Sequence, residues 1–376
     1  MNEIIIKEVQ TEPQMTEFIK FPWKIYKDDK NWVPPLLFDV KKNLDKKRNP
    51  FFEHSKVNFY LAYLDGVLSG RISAIKNDMH NEFYKDKVGF FGFFECINNQ
   101  NVTNALFDEA KNYLISLGLN EIRGPIDLST NDEVGLLIDG FDTDPYILMP
   151  HNPRYYISLI EGYGFRKIKD LYAFLVREEI TTNKNVMGKL ERVSNIVTKK
   201  ENVIVRDINL KDFDNELIRV REVYNKAWQN NWGFVPMTEK EFEFLADSLK
   251  TIIDTDLIYF AEVDGKPVGF SLGIPNMNVV FKGLNGKIFP FGIFKILFGK
   301  RKIKSLRLLI MGVISEYRKK GIEAVFIKHT IDRGIKKGYN AAEISWILED
   351  NLPMVRTAEN LGADKYKTYR IFNLEI

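Results

Sequence analysis

A single cysteine among 376 residues, Cys96, excludes an internal disulfide framework. The N-terminus has no charged start followed by a long apolar run and a small-residue cleavage site, so no export signal is expected, and with the lone thiol this predicts a reducing, cytoplasmic setting. No apolar run reaches the ~20 residues of a spanning helix before charge interrupts it, and no transmembrane segment is expected. Histidine is scarce, at four residues, without zinc-ligand spacing, so no metal is expected. A net charge of +3 is too small to argue for nucleic acid as a partner, and no basic helix follows a turn-helix spacing.

What is present is a chain that repeats itself. Asp65-Gly66 and Asp264-Gly265 punctuate similar strand pairs at an offset of 264 − 65 = 199, and Asn152 and Asn351 differ by the same 199. FYLAYLDGVLSGRISA from Phe59 reads alongside IYFAEVDGKPVGFSLGI from Ile258. So long a period means duplicated domains rather than a solenoid. At 45% hydrophobic, each half has enough apolar residues for its own core. The expected division is 1–180 for the first domain, 181–200 for a charged linking helix and 201–376 for the second domain, an α/β (α+β) mixed sheet in each.

In the second copy, strands are expected at Val203 to Ile208, Leu257 to Val263, Pro267 to Leu272, Leu306 to Ile314, Ala341 to Leu348 and Tyr366 to Leu374. Leu306 to Ile314 is nearly all apolar and reads as a central buried strand. Helices are expected through Trp228 and on to Leu249, from Gly321 with Ala324, Ile327, Ile331 and Ile335 on one stripe, and over Leu352 to Leu361. The first copy follows the same order, with strands near Ile4, Tyr60, Ser69, Phe91 and Ile122 and helical stripes over Val102 to Leu117 and Tyr155 to Ile160. It lacks a basic insertion and has instead a long passage from Ser129 to Asn152.

The central strand of the second copy runs into Arg318-Lys319-Lys320-Gly321 and a helix. Free backbone N–H groups, a positive helix terminus and several cations meet there, which suits a pyrophosphate. The same residues also describe a plain helix start with a solvated basic turn. Strand order and this segment together resemble the GNAT family of acyl-CoA-dependent acyltransferases, whose phosphate loop is Gln/Arg-x-x-Gly-x-Gly/Ala. The resemblance covers nearly the whole chain as two tandem GNAT-like domains. It implies acetyl-CoA or a longer acyl-CoA as donor, backbone groups of Val313 and Ile314 along the pantetheine, and Arg318, Lys319, Lys320, Gly321, Ile322, Glu323 and Ala324 around the pyrophosphate. Glu323 stands where a small residue is expected, and Ala358 where many members carry a tyrosine. The first copy has Glu95-Cys96-Ile97-Asn98-Asn99-Gln100 in place of the loop and is expected not to bind CoA in the usual way; Cys96 reads as a buried residue rather than a nucleophile.

For amine deprotonation and positioning, Glu349 and Asn351 follow a strand end in SWILEDN, and Tyr369 lies in the last strand, three residues after Tyr366. His151 closes a passage that also holds Asn131, Asp132, Glu133, Asp139, Asp142, Asp144, Asn152, Tyr155 and Tyr156; a solvated loop with Asn152 capping a helix before Pro153 would read the same. Residues 281 to 304 carry seven Lys or Arg and no acid. GKIFPFGIFKILFGKRKIK, from Gly286, suits an anionic membrane surface or a lipid channel, or else an ordinary amphipathic flap packed on its own domain. With SWxLExN, this insertion resembles a bacterial group that includes ceramide synthases, which implies N-acyl transfer to a sphingoid-type lipid amine. A non-catalytic acyl-CoA or lipid sensor and an aminoacyl-tRNA-dependent transferase remain alternatives.

Overall fold

The computed structural model describes residues 3–376. Two compact units make up the chain: unit 1 is Met1–Leu171, Phe281–Ile293 and Lys367–Ile376, and unit 2 is Tyr172–Val280 and Phe294–Tyr366. Neither is a continuous half of the sequence. The last strand of the chain, from Lys367 on, is counted with the first copy, and the last strand of the first copy, from Tyr172 on, with the second.

In unit 1, β1 (Ile4–Glu8), β2 (Ser55–Leu64), β3 (Val67–Asn77) and β4 (Val88–Cys96) form an antiparallel meander. β5 (Glu121–Gly124) then runs parallel to β4, which needs a crossover, supplied by the helix Gln100–Ser116. Its buried Val102, Leu106, Phe107, Ala110 and Leu114 recur at helical spacing and pack with Phe91, Phe94, Tyr156 and Phe165. β6 (Leu136–Asp139) and β5 both pair with the last strand, β13 (Asp364–Glu375), whose Phe372 lies in the same core. β6 lies inside the passage that the sequence presents as a connector.

Unit 2 orders its strands as the end of β7 (Arg166–Val176), then β12 (Ala341–Leu348), β11 (Ser305–Val313), β10 (Lys266–Pro275), β9 (Ile258–Val263) and β8 (Val203–Asp207). The Asp-Gly hairpins form as read: Asp65 and Gly66 have φ of 49° and 78°, and Asp264 and Gly265 have 50° and 72°, the two successive positive values of a type I′ turn. Lys184–Lys200 is helical, as are Phe213–Trp228, Glu239–Leu249 and Leu352–Leu361.

One stripe differs from the sequence reading. On the helix Ile322–Lys336, Ile322, Val325 and Phe326 pack with Tyr259, Val268 and Val313, while Ile327 and Ile331 face a second cluster with Phe174, Leu308 and Ile344. Ile335 is exposed. The helix lies between two apolar clusters, so its buried arc is wider than one stripe of isoleucines.

Parallel pairing between β11 and β12 runs from Ser305–Ala341 to Leu308–Ile344 and stops, although β11 continues to Val313 and β12 to Leu348. The two central strands of unit 2 therefore part toward their C-terminal ends, the usual place for a ligand in an α/β sheet.

Candidate functional site

At the end of β11 the chain turns through Arg318, Lys319 and Lys320 into Gly321, the N-cap of the helix Ile322–Lys336. Lys319 and Gly321 have φ of 63° and 87°. The left-handed backbone at Gly321 favours glycine, and a Cβ there would also lie 2.9 Å from Val197 Cγ2. As the N-cap residue, Gly321 has no side chain with which to cap this terminus. The Ile322 N–H and the positive end of the dipole are thus available to an anion, which is what binds phosphate at helix starts, whereas Ala324 N–H donates to Gly321 O at 3.0 Å and Glu323 N–H bonds its own carboxyl. Lys319 is exposed, and Lys320 stacks over Tyr317 at 4.4 Å and pairs with Glu201 at 3.0 Å.

Arg318 has a different job in this structure. Its guanidinium donates to the Ala227 carbonyl and, at 3.3 Å, to the Val313 carbonyl, tying the turn to the end of the helix Phe213–Trp228. Ile314 N–H donates to Val268 O at 2.9 Å, so of the two residues expected beside pantetheine one has its amide within the sheet. Trp228, stacked on Tyr224 at 4.8 Å, closes over Gly312, where a Cβ would lie 2.1 Å from the indole. Glu323 is half-buried in the first helical turn, with Arg318 as its electrostatic neighbour. Burial pushes the Glu323 carboxyl above the usual carboxylate range, opposed by its own backbone N–H and by Arg318.

Glu349 follows β12 in a turn, half-buried. Asn351 caps the helix Leu352–Leu361, its Oδ1 accepting from Met354 N–H at 3.4 Å. Sequence pattern alone does not reveal the buried polar group between β11 and β12. Arg307 Nε donates to Ser345 Oγ at 2.9 Å, Ser345 Oγ donates to Glu343 Oε1 at 2.5 Å, and Tyr366 OH donates to Glu343 Oε2. The only signal is one arginine in an otherwise apolar strand and a Glu-x-Ser alternation in its neighbour.

Tyr369 is fully buried in unit 1, where its strand pairs with β6, and a register shift falls between Thr368 and Tyr369. Tyr366 belongs to unit 2, so the two tyrosines of the last strand serve different units. His151 is also in unit 1. Its Nε2 lies 2.8 Å from Asp29 Oδ2, and its Nδ1 is buried without a hydrogen-bond partner among the described residues. Burial lowers the His151 pKa more than Asp29 raises it, and the carboxyl of Asp29 is held below its ordinary value by His151 and backbone N–H groups despite its partial burial.

Asp29 has no signal in the sequence, and Glu95 stands out there only as part of the segment that replaces the phosphate loop. Glu95 is buried with Tyr26 OH at 3.2 Å and Tyr156 OH at 2.7 Å, both donating to it, and Arg71 at 3.7 Å; burial raises its pKa to about 7. Tyr156 OH also accepts from Cys96 N–H at 2.9 Å, and burial pushes the Cys96 thiol up to about 12, in keeping with an inert residue. Asn152 does not cap a helix: it bonds Leu137 N–H at 2.7 Å and Leu137 O at 3.1 Å, mimicking a neighbouring strand for β6. Much of the remaining polarity is turn and surface chemistry, with Ser129 donating to Asp132, Lys282 pairing with Asp144, and Arg154 with an exposed Asp142.

No group of His, Cys, Asp and Glu suited to a metal occurs among the described residues. The model of the acetyltransferase (GNAT) family matches residues 217–363. Protein YghO of Escherichia coli is 37% identical over 378 residues, 99% of this chain and 95% of that protein. The bacterial ceramide synthase of Caulobacter vibrioides is 35% identical over 380 residues, 98% and 97% of the two chains. Among solved structures, a tandem GNAT protein from the clavulanic acid biosynthesis pathway aligns with a TM-score of 0.57 at 11% identity, covering 99% of this chain and 98% of that one. A GCN5-related N-acetyltransferase from Sphaerobacter thermophilus aligns at 0.55 and 11%, covering 99% and 95%.

Proposed function

The chain belongs to the GNAT family and is an N-acyltransferase with tandem GNAT architecture, and on that premise we propose that its second copy binds a long-chain acyl-CoA and delivers the acyl group to a lipid amine of sphingoid type. The observation that carries the donor assignment is the uncapped helix start at Gly321 beside Lys319 and Lys320. Amides of Ile322 and, once its own carboxyl releases it, Glu323 would hold the pyrophosphate with the two lysines; Ala324, whose N–H donates to Gly321 O at 3.0 Å, closes the turn behind them, and Val313 and Ile314 lie alongside the pantetheine. Arg318 contributes by fixing the turn, and reaches phosphate only if it releases the Ala227 carbonyl. The proposed halves are 1–180 and 201–376, joined by the helix within 181–200.

The reaction requires an uncharged amine to attack the thioester carbonyl, forming the amide and releasing CoA thiolate. Glu349, after β12 where the strands part, is proposed as the proton acceptor, directly or through water. Asn351 positions the helix that follows. His151 and Tyr369 are proposed for amine handling within unit 1. A thiol of pKa near 8.5 leaves without a strong acid, so Ala358 does not preclude turnover.

The lipid acceptor is supported by 35% identity over nearly the full length to a protein named bacterial ceramide synthase. A cytoplasmic enzyme touching the membrane through 286–304 fits that acceptor, and no described helix is long and apolar enough to cross a membrane. The test is incubation with palmitoyl-CoA and a long-chain amino alcohol, followed by mass spectrometry. An N-acylated product and free CoA are expected. Acyl-CoA binding with no product from long-chain amines, but product from a water-soluble amine, would overturn the lipid part alone.

A further inference from the structure

The insertion contains a helix, Gly292–Gly299, whose faces are reversed from those of an ordinary packed flap. Gly292, Ile296 and Gly299 share one side and are buried or half-buried. A Cβ on Gly292 would lie 2.9 Å from Lys287 O, and one on Gly299 would lie 2.9 Å from both Val280 methyls. The helix is seated by small residues. Its large ones, Ile293, Phe294, Leu297 and Phe298, form the opposite face, with Phe294, Leu297 and Phe298 exposed by 58%, 60% and 67%. Just before the helix, Phe289 and Phe291 are exposed by 80% and 70%.

A loose loop would give the same exposures, but this segment is fastened at its start. Asn285 Oδ1 accepts from Trp23 Nε1 at 2.8 Å, Gly286 O accepts from Leu37 N–H at 3.0 Å, and Lys282 pairs with Asp144 at 2.6 Å. A fixed helix with its aromatic residues in water is an unsatisfied surface, and such surfaces mark a partner. Charge selects which. Lys295, Lys300, Arg301 and Lys302 are all exposed, and no acid lies between 281 and 304. An apolar arc flanked by cations and free of acids fits the acyl–headgroup boundary of an anionic bilayer.

We propose that Gly292–Gly299, with Phe289 and Phe291, is an interfacial anchor that inserts its exposed aromatic face into anionic membranes while Arg301 and Lys302 engage lipid headgroups. This builds on the peripheral contact proposed above, and specifies its element, its face and its lipid charge. At eight residues the helix lies on the membrane and does not span it.

The test is sedimentation of the full chain with vesicles of phosphatidylcholine alone and with added phosphatidylglycerol, with acyl-CoA calorimetry on the same preparations. Binding is expected only with phosphatidylglycerol, weakening with salt. Arg301→Ala and Lys302→Ala should each lower partitioning about fivefold, ~1 kcal/mol per basic residue. The triple variant Phe294→Ser, Leu297→Ser, Phe298→Ser should abolish it while leaving circular dichroism and acyl-CoA affinity unchanged, since all three side chains face water. The proposal is overturned by no binding to anionic vesicles, by equal binding to both compositions, or by a triple variant that alters self-association and not sedimentation. Because acyl-CoA affinity is read separately, loss of docking leaves the donor site standing, and loss of acyl-CoA binding leaves docking standing.

Discussion

In both copies a central strand leads into a helix, but the two helix starts are chemically opposite. In the first, Asn99 accepts from the N–H groups of Asn101 and Val102 at 2.9 and 3.3 Å. In the second, Gly321 has no side chain to cap with, and three cations precede it. The strands repeat the contrast. Beyond β5, Ile126 N–H donates to Phe91 O at 2.8 Å, and Phe93 N–H donates to Asp127 Oδ1 at 2.6 Å, so β4 stays hydrogen-bonded to the chain beyond its partner strand; β11 and β12 lose their ladder at Leu308–Ile344. In the first copy, internal groups already satisfy the amides that the ligand proposed for the second would use. On the proposed function, the first copy closes its helix start with a cap, and the second leaves the start at Gly321 for the donor, although its interior polar group of Arg307, Ser345, Glu343 and Tyr366 is also bonded within itself.

Arg71→Met breaks this division most severely if it is wrong. Arg71 is buried, donates to Phe18 O at 2.7 Å and stands beside Glu95, so its removal should cost about 3 kcal/mol in denaturant unfolding while the folded variant still binds acyl-CoA normally. Gly321→Asp sets a carboxylate at the second copy's helix start; because any Cβ there is strained by the left-handed backbone and by Val197, Gly321→Ala is the control that isolates the charge. A carboxylate competing for the same amides should weaken acyl-CoA about a hundredfold, ~2.7 kcal/mol, by calorimetry.

Asn99→Ala opens the first copy's terminus. It should cost about 1 kcal/mol of stability and create no second acyl-CoA site, because no cation adjoins it. Smallest is the effect at Glu323. Its pKa is raised in the folded protein, so it contributes stability while protonated and loses that contribution as pH rises above the usual carboxylate range; an anionic ligand beside it favours the protonated form further. Acyl-CoA affinity should therefore increase severalfold as pH falls through that range, and Glu323→Gln should bind more tightly at high pH and flatten the dependence. The same sign holds for Glu95, raised to about 7: its contribution to stability is present at low pH and lost as pH rises through 7, and Glu95→Gln should remove that slope in thermal unfolding.

The parts legible in the sequence are those set by local pattern. Asp-Gly turns fix hairpins through backbone φ alone, and the apolar run at Leu306 and the span Ala341–Leu348 announce central strands through composition. Long-range pairing has no such signature, so the exchange of β7 and β13 between units and the strand Leu136–Asp139 were not readable. Arg318 shows why a site motif is only half an answer: its type suits phosphate, but the Ala227 carbonyl, far away in sequence, decides where it points. The insertion's apolar and basic character was plain, whereas its outward aromatic face depends on Gly292 and Gly299 fitting against their neighbours.

The most direct test of one open and one closed copy is the stoichiometry of palmitoyl-CoA binding by calorimetry, on the unmodified chain and on Gly321→Asp. One site per chain, lost in the variant, is the predicted result. Two sites, or a single site indifferent to Gly321→Asp, would contradict the account.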